Sequence, residues 1–265
     1  MANLPKSSGG VVIEFRDVSY GLAAGASILS NINLQVRSGE VMVLLGRSGG
    51  GKASALKLIN RLHRESAGEV MVEGVATSRW DMIALRRRIG YVVQELGLFP
   101  HHSIEKNVGL IPRLEKWPSD KTNTRIDEML RLVDLEPREF RSRYPHQLSG
   151  GQRQRVAVAR ALAGDPPILL MDEPFGALDP LSRAELQLEF TRLQQKLKKT
   201  VVLVTHDLAE ALMLGDTIGF IEAGKLVGVY TPAELLRSAD PAPANYVAAF
   251  RIGHDAVASY FDSGR

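Results

Sequence analysis

The amino-acid sequence predicts an α/β fold built on a mainly parallel sheet, and three observations predict it. Short apolar runs recur at Val41–Leu45, Ile89–Val93, Ile168–Met171, Val201–Val204 and Ile218–Ile221, several of them next to helical stretches. Continuous apolar runs of this length suit strands whose two faces are both covered, as in parallel sheets. The first run ends in a glycine-rich loop, Gly46-Arg47-Ser48-Gly49-Gly50-Gly51-Lys52-Ala53, which leads into a helical pattern. Between Val93 and Ile168 the strand signal disappears, so a helical segment interrupts the alternation.

In chain order, Val11 to Phe15 reads as a first strand. From Lys52 to Leu62 the apolar residues Ala55, Leu58, Ile59 and Leu62 fall at helical spacing. Strand, glycine loop and helix is the context that a phosphate-binding loop needs. In the pattern G-x-x-x-x-G-K-[ST], backbone N–H groups wrap the phosphates and the lysine reaches the β and γ phosphates. The helix N-terminus adds free N–H groups and the positive end of its dipole. One position departs: Ala53 stands where the magnesium-ligating hydroxyl belongs, and Ser54 follows it. A step of one residue rotates a side chain by roughly 100° around a helix, so the Ser54 hydroxyl is a poor substitute. Mg²⁺ loses one of about six oxygen ligands. Nucleotide binding with a raised magnesium requirement and slower hydrolysis is the expectation.

Further along, Ile126, Met129, Leu130 and Val133 mark a helix, while Pro112, Pro118, Pro137 and Pro145 punctuate the region. Gln94 to about Gly151 therefore reads as a helical insertion. Leu148-Ser149-Gly150-Gly151-Gln152 precedes a helical run from Arg153 to Ala163, which places a hydroxyl and glycine amides at a helix start. A plain turn and N-cap would look the same. A second anion site has a purpose if it closes over a nucleotide held by another copy of the chain. Ile168-Leu169-Leu170-Met171-Asp172-Glu173 is an apolar strand ending in two carboxylates. The first is placed to hold Mg²⁺, and the second to activate or position a water for attack on a γ-phosphate. Glu222-Ala223-Gly224-Lys225 reads as a tight turn between two strands. A short helix over Ala233 to Arg237 then leads into a tail containing Asp240-Pro241-Ala242-Pro243.

Composition bounds the rest. The 265 residues are 45% hydrophobic and 24% charged, ordinary for a globular protein that buries a full core. No apolar run approaches the roughly 18 residues of a membrane-spanning helix, and Met1 to Gly10 lacks the apolar centre of a secretory signal. The absence of cysteine excludes disulfides and thiolate metal sites and suits a reducing cytosol. A net charge of +3 is mild, and the basic runs Arg86-Arg87-Arg88 and Lys196, Lys198, Lys199 read as solvated faces. Aromatic residues make up only 6%, too few for the stacking surfaces of a nucleic-acid binder. His101-His102 lack nearby carboxylate partners and read as surface or interface residues, not as a metal site.

In order and spacing, these motifs resemble the nucleotide-binding subunit of ATP-binding cassette (ABC) transporters over nearly the whole chain. Leu148 to Gln152 resembles the family signature, and Gln94 falls at the Q-loop glutamine. Gly176-Ala177-Leu178-Asp179 resembles the D-loop, and His206 in Val204-Thr205-His206-Asp207 the switch histidine. The resemblance implies a P-loop NTPase core with a mainly parallel sheet (residues 1–93 and 152–231), an N-terminal antiparallel β portion, an inserted α-helical subdomain (94–151), and a short C-terminal helix and tail (232–265). It implies ATP and Mg²⁺ as ligands. Gly46, Ser48 and the amides of Gly49, Gly50 and Gly51, with Lys52, would cradle the β and γ phosphates, Ala53 and Ser54 would follow, and Ser54 would touch the α-phosphate. Tyr20 would stack on adenine, the alternative being a core aromatic. Asp172 and Gln94 would hold the metal, Glu173 would activate water, and His206 would contact the γ-phosphate. Ser149, Gly150 and Gly151 would complete the site of a second, identical subunit, with Asp179 linking the two sites.

The segment Gln94-Glu95-Leu96-Gly97-Leu98-Phe99-Pro100-His101-His102-Ser103-Ile104 resembles importers of glycine betaine, choline and related osmoprotectants. The resemblance implies that Leu98, Phe99 and Pro100 help to form a groove for a helix of an integral membrane permease. Tyr144-Pro145 and Pro174-Phe175 suit such importers as well. A periplasmic or extracellular solute-binding protein would act indirectly, and the chain would sit on the cytoplasmic face of a bacterial or archaeal membrane. Larger members of the class carry a C-terminal regulatory module, and the residues after Tyr230 are too few to form one. Two alternatives stay open: an importer for another solute such as an amino acid or a sulfonate, and a hydrolysis-impaired, nucleotide-gated cassette. Soluble ABC ATPases acting on DNA or ribosomes carry long coiled-coil insertions or two cassettes, and this chain has neither.

Overall fold

A computed structural model describes residues 10–21, 27–95, 97–176 and 178–262, with side chains as far as residue 252. Nearly all of the Met1–Gly10 stretch, Leu96 of the Q-loop segment, Ala177 of the D-loop and the end of the tail lie outside the described residues. The chain opens with β1 (Val11–Gly21), β2 (Ser27–Arg37) and β3 (Val41–Leu45), followed by the glycine loop and α1 (Lys52–Ile59). Next come β4 (Ala67–Val72), β5 (Val75–Ala76), α2 (Met82–Arg87) and β6 (Ile89–Val92). Helices α3 (Ile104–Val108), α4 (Leu110–Leu114), α5 (Ser119–Leu132), α6 (Pro137–Phe140) and α7 (Gly150–Leu162) follow. The rest alternates: β7 (Ile168–Asp172), α8 (Pro180–Leu197), β8 (Thr200–Thr205), α9 (Leu208–Leu214), β9 (Thr217–Glu222), β10 (Lys225–Tyr230), α10 (Pro232–Leu235) and α11 (Pro241–Asp262).

Two sheets result. One has the order β2-β1-β4-β5 and is antiparallel throughout. The other has the order β10-β9-β3-β8-β7-β6, parallel except for β10 at its edge. Every residue of β3, β7 and β8 is buried, which is why those runs carry no polar alternation. Their period of two instead divides two cores. Met42, Leu44, Leu170 and Val202 pack on α1 and the antiparallel sheet, through Leu56, Ile59, Ile13 and Phe15. Val43, Leu45, Met171 and Leu203 face the opposite way, with residues such as Ile126 of α5, Val156 of α7 and Phe190 of α8. Each fully buried side chain of this size contributes roughly 1.5–3 kcal/mol of apolar burial.

Three expectations are adjusted. The first strand continues past Phe15 to Gly21. The helix after the loop ends at Ile59, and Leu62 is 50% exposed. The expected tail is the 22-residue helix α11, which begins at Pro241. Proline is compatible with a first helical turn because its missing N–H would have had no intrahelical partner. The short helix before it spans Pro232–Leu235, where Thr231 and Glu234 form a reciprocal capping box. Among the described residues, 94–151 contain no strand, and no helix is long and apolar enough to cross a membrane.

Candidate active site

Strands β3, β8, β7 and β6 are parallel neighbours in register, Leu45 with Thr205, Asp172 with Val204 and Val92 with Met171. Their C-terminal ends therefore lie on one rim. The rim of an open α/β sheet is where such folds bind ligands. Onto it the chain delivers the glycine loop after β3, Gln94 after β6, Asp172 and Glu173 at the end of β7, and His206 after β8.

The loop is shaped by its glycines. Gly46 has φ +152° and Gly51 φ +97°, and a Cβ on Gly46 would lie 1.9 Å from the Ile221 carbonyl oxygen at the end of β9. A side chain there would force the loop off the rim. No side chain caps the start of α1, where Gly51 is the N-cap residue. The N–H groups of that first turn are thus left for an anion. Lys52 is only 4% exposed, and its Nζ donates to the carbonyls of Gly46 at 2.7 Å and Arg47 at 2.8 Å. Burial lowers its pKa, while Glu173 and Asp172 oppose that shift. Ser48 and Gly49 are exposed at the loop tip, Gly50 is half-buried, and so are Ala53 and Ser54 in the first turn of α1.

Asp172 is 5% exposed. Burial raises its pKa, and the carboxylate of Glu173 adds to the shift. Lys57, a hydrogen bond from the Tyr91 hydroxyl and Lys52 hold it back. Tyr91 in turn is pushed well above the usual phenol range by burial and by Asp172. Glu173 gathers the other two loops. Gln94 Nε2 donates to its Oε2 at 3.2 Å, and His206 Nδ1 lies 3.1 Å from its Oε1. Both oxygens of one carboxylate are therefore addressed by residues 79 and 33 positions away in sequence. Such a cluster beside a buried lysine can hold a polyphosphate and aim a water at its terminal phosphorus.

Other expected residues lie elsewhere. The Ser149 hydroxyl accepts from the Gln152 amide at 3.2 Å, and Gln152 Oε1 accepts from the Ser149 amide at 3.0 Å, a capping box at the start of α7. Among the described residues, no hydrogen bond or ion pair joins Ser149, Gly150 or Gly151 to the glycine loop. Asp179 caps α8 by accepting from the Ser182 amide at 3.0 Å, and hydrogen bonding from the Ser182 side chain and then from that amide lowers its pKa. Tyr20 is 8% exposed, and its hydroxyl is 2.8 Å from His63 Nδ1. A register shift between Phe15 and Val18 turns residues 18 and 20 to the buried face that Ile13 and Phe15 occupy. Phe99 is held in the loop after Gln94 by Asn107, which accepts from its amide at 2.8 Å and donates to its carbonyl at 3.1 Å. Tyr91 was not among the expected residues, although its parity with Leu170 and Asp172 across β6 and β7 places it on the α1 side of the sheet.

Fold and site together define a nucleotide-binding cassette. The family model described as ABC transporter matches residues 29–176, and the chain belongs to this family. It is 48% identical over 234 residues to the glycine betaine/carnitine/choline transport ATP-binding protein OpuCA of Bacillus subtilis, covering 88% of this chain and 60% of that protein. It is 47% identical over 225 residues to the glycine betaine uptake system ATP-binding protein YehX of Escherichia coli, covering 85% of this chain and 72% of the relative. The chain thus spans about three fifths of the length of OpuCA. Among solved structures it is similar to the dimeric post-hydrolysis state of the ATP-binding cassette MJ0796 bound to ADP and Pi. There the TM-score is 0.73 at 33% identity, over 83% of this chain and 98% of the other.

Proposed function

We propose that this chain is the ATP-binding and ATP-hydrolysing subunit of an ABC importer, acting as a pair of cassettes beneath a membrane permease. The observation that carries the reading is the convergence of Gln94 and His206 on Glu173, beside Lys52 and Asp172. Loop amides and Lys52 bind the phosphates and hold the γ-phosphate at the rim. Glu173 orients the attacking water and takes up its proton as the bond from the γ-phosphorus to the ADP oxygen breaks. His206 contacts the γ-phosphate, and Gln94 reports its presence toward the permease groove beside Phe99.

Mg²⁺ fits this donor set, because a buried carboxylate whose ionisation is opposed by Glu173 is relieved by a cation. Asp172 and Gln94 would hold it, with water in place of the hydroxyl that Ala53 lacks, and when bound it neutralises charge on the phosphate oxygens. Ser149, Gly150 and Gly151 of a second copy would close the site, with Asp179 at the junction. The dimeric form of MJ0796 with ADP and Pi supports that arrangement. The names of OpuCA and YehX support glycine betaine and choline-type osmoprotectants as cargo, and in that role the chain would act at the cytoplasmic face of the membrane. Ala53 favours a second reading, a cassette that closes on nucleotide but turns over slowly.

Phosphate release from Mg²⁺-ATP tests the ATPase reading. Glu173→Gln should keep nucleotide affinity and lower release by about 100-fold, the scale of a lost water-positioning group. Wild-type release by that variant would refute the assignment. Uptake of labelled glycine betaine in cells lacking the chain tests the cargo, and undiminished uptake would point to another solute.

A further inference from the structure

Helix α11 lies against the catalytic rim. Val247 is buried in the same core as Phe220, and the Tyr246 ring meets Phe220 edge-on with centroids 5.4 Å apart. Phe220 pairs with Leu45, the residue just before the glycine loop. The approach to the helix is tied to the sheet, since the Tyr230 hydroxyl donates to Asp240 Oδ2 at 2.5 Å. So anchored, Tyr246 donates its hydroxyl proton to the carbonyl oxygen of His206. The charges that reach it belong to Asp207, next to the histidine, and Arg47, in the glycine loop.

His206 needs such a hold. Its side chain is 52% exposed, and the polar contact of its ring is the 3.1 Å approach to Glu173. Its direction therefore depends on its backbone. On one side the Asp207 amide donates to Thr205 Oγ1 at 3.0 Å; on the other, Asp207 Oδ1 caps α9 through the Ala209 amide at 2.7 Å. A further backbone group at the bend, the His206 carbonyl, accepts from Tyr246. We propose that Tyr246 is a positioning residue for His206: its hydroxyl fixes the peptide that aims the imidazole at Glu173 and makes α11 part of the hydrolytic apparatus. The inference rests on the ATPase reading above for its consequence in turnover, but not for its geometry.

Tyr246→Phe keeps the ring against Phe220 and removes only the donor. In the full chain, kcat for ATP should fall about fivefold, the scale of one lost hydrogen bond, with KM for Mg²⁺-ATP and the melting temperature nearly unchanged. In the nucleotide-free protein, the ring resonances of His206, assigned by their disappearance in His206→Ala, should shift in Tyr246→Phe. Amide exchange over residues 205–208 should quicken. Unchanged His206 resonances and exchange would overturn the proposal whatever the turnover. A wild-type kcat in the variant would also overturn it. Absence of turnover in the wild type would instead count against the ATPase reading and leave the resonance and exchange measurements to decide on Tyr246.

Discussion

At Glu173 the backbone itself is unusual, with φ +44° in the left-handed region that a side chain enters at a cost of roughly 1–2 kcal/mol. Its amide donates to the Val204 carbonyl at 3.0 Å, and its carboxylate is held from both sides by Gln94 and His206. Strain kept in place by its surroundings is common where a side chain must be aimed. This residue was legible because an apolar strand ending in Asp-Glu is a local pattern; its distant partners were legible only through the resemblance. Tyr20 faces inward because β1 shifts register between Phe15 and Val18, which no alternation in the sequence announces. Ala53 poses the sharpest question at this scale. It is half-buried in the first turn of α1, directly after the glycine loop. In the proposed site, a hydroxyl added there would supply Mg²⁺ with the oxygen that water would otherwise provide. Ala53→Ser should lower the Mg²⁺ concentration for half-maximal phosphate release, and an identical magnesium titration would sink the idea.

Among the elements, the fully apolar strands were readable because parallel packing leaves no polar positions in them. The antiparallel sheet was harder: β2 and β4 mix buried and exposed residues, and β1 carries shifts in its pairing register. Helix α11 was hidden by prolines that usually announce a break but here occupy its opening turn. The joint between β8, α9 and α8 carries a buried charge that no periodicity reveals. Glu210, 4% exposed, accepts from the Thr205 hydroxyl at 2.6 Å and from Gln187 Nε2 at 3.0 Å. Burial raises its pKa, although those hydrogen bonds oppose the shift. Below the ordinary glutamate range both folded and unfolded chains are protonated here. As pH rises through that range toward the raised folded value, the unfolded chain ionises first, so stability is lost across that window. Melting curves should therefore fall less between acid and neutral pH for Glu210→Gln than for the wild type. Parallel pH profiles would show that Glu210 does not titrate in this way.

Taken as a whole molecule, one chain holds the parts of the proposed site at two separated places. The glycine loop, Glu173 and His206 share the sheet rim, while Ser149 and the glycines after it open α7 with their hydrogen bonds satisfied inside their own capping box. A capped helix start can still receive an anion, because the box uses the amides of Ser149 and Gln152 while those of Gly150 and Gly151 remain. That division follows from the order of the strands. The segment between β6 and β7 carries α3 to α7 out of the sheet before returning to it, so the start of α7 and the loop after β3 belong to different parts of the chain's surface. A second copy would bring them together over nucleotide. With Glu173→Gln and ATP, the protein should elute at twice the mass of one chain. Adding Ser149→Asp should return it to single chains. Aspartate caps a helix as well as serine does, so the fold and the melting temperature are preserved, but its charge would face the partner's bound phosphates. Nucleotide binding to the separated chains should persist in that double variant, as read by fluorescent ATP analogues. A dimer that forms as readily in the double variant as in Glu173→Gln alone would mean that the start of α7 does not close over nucleotide.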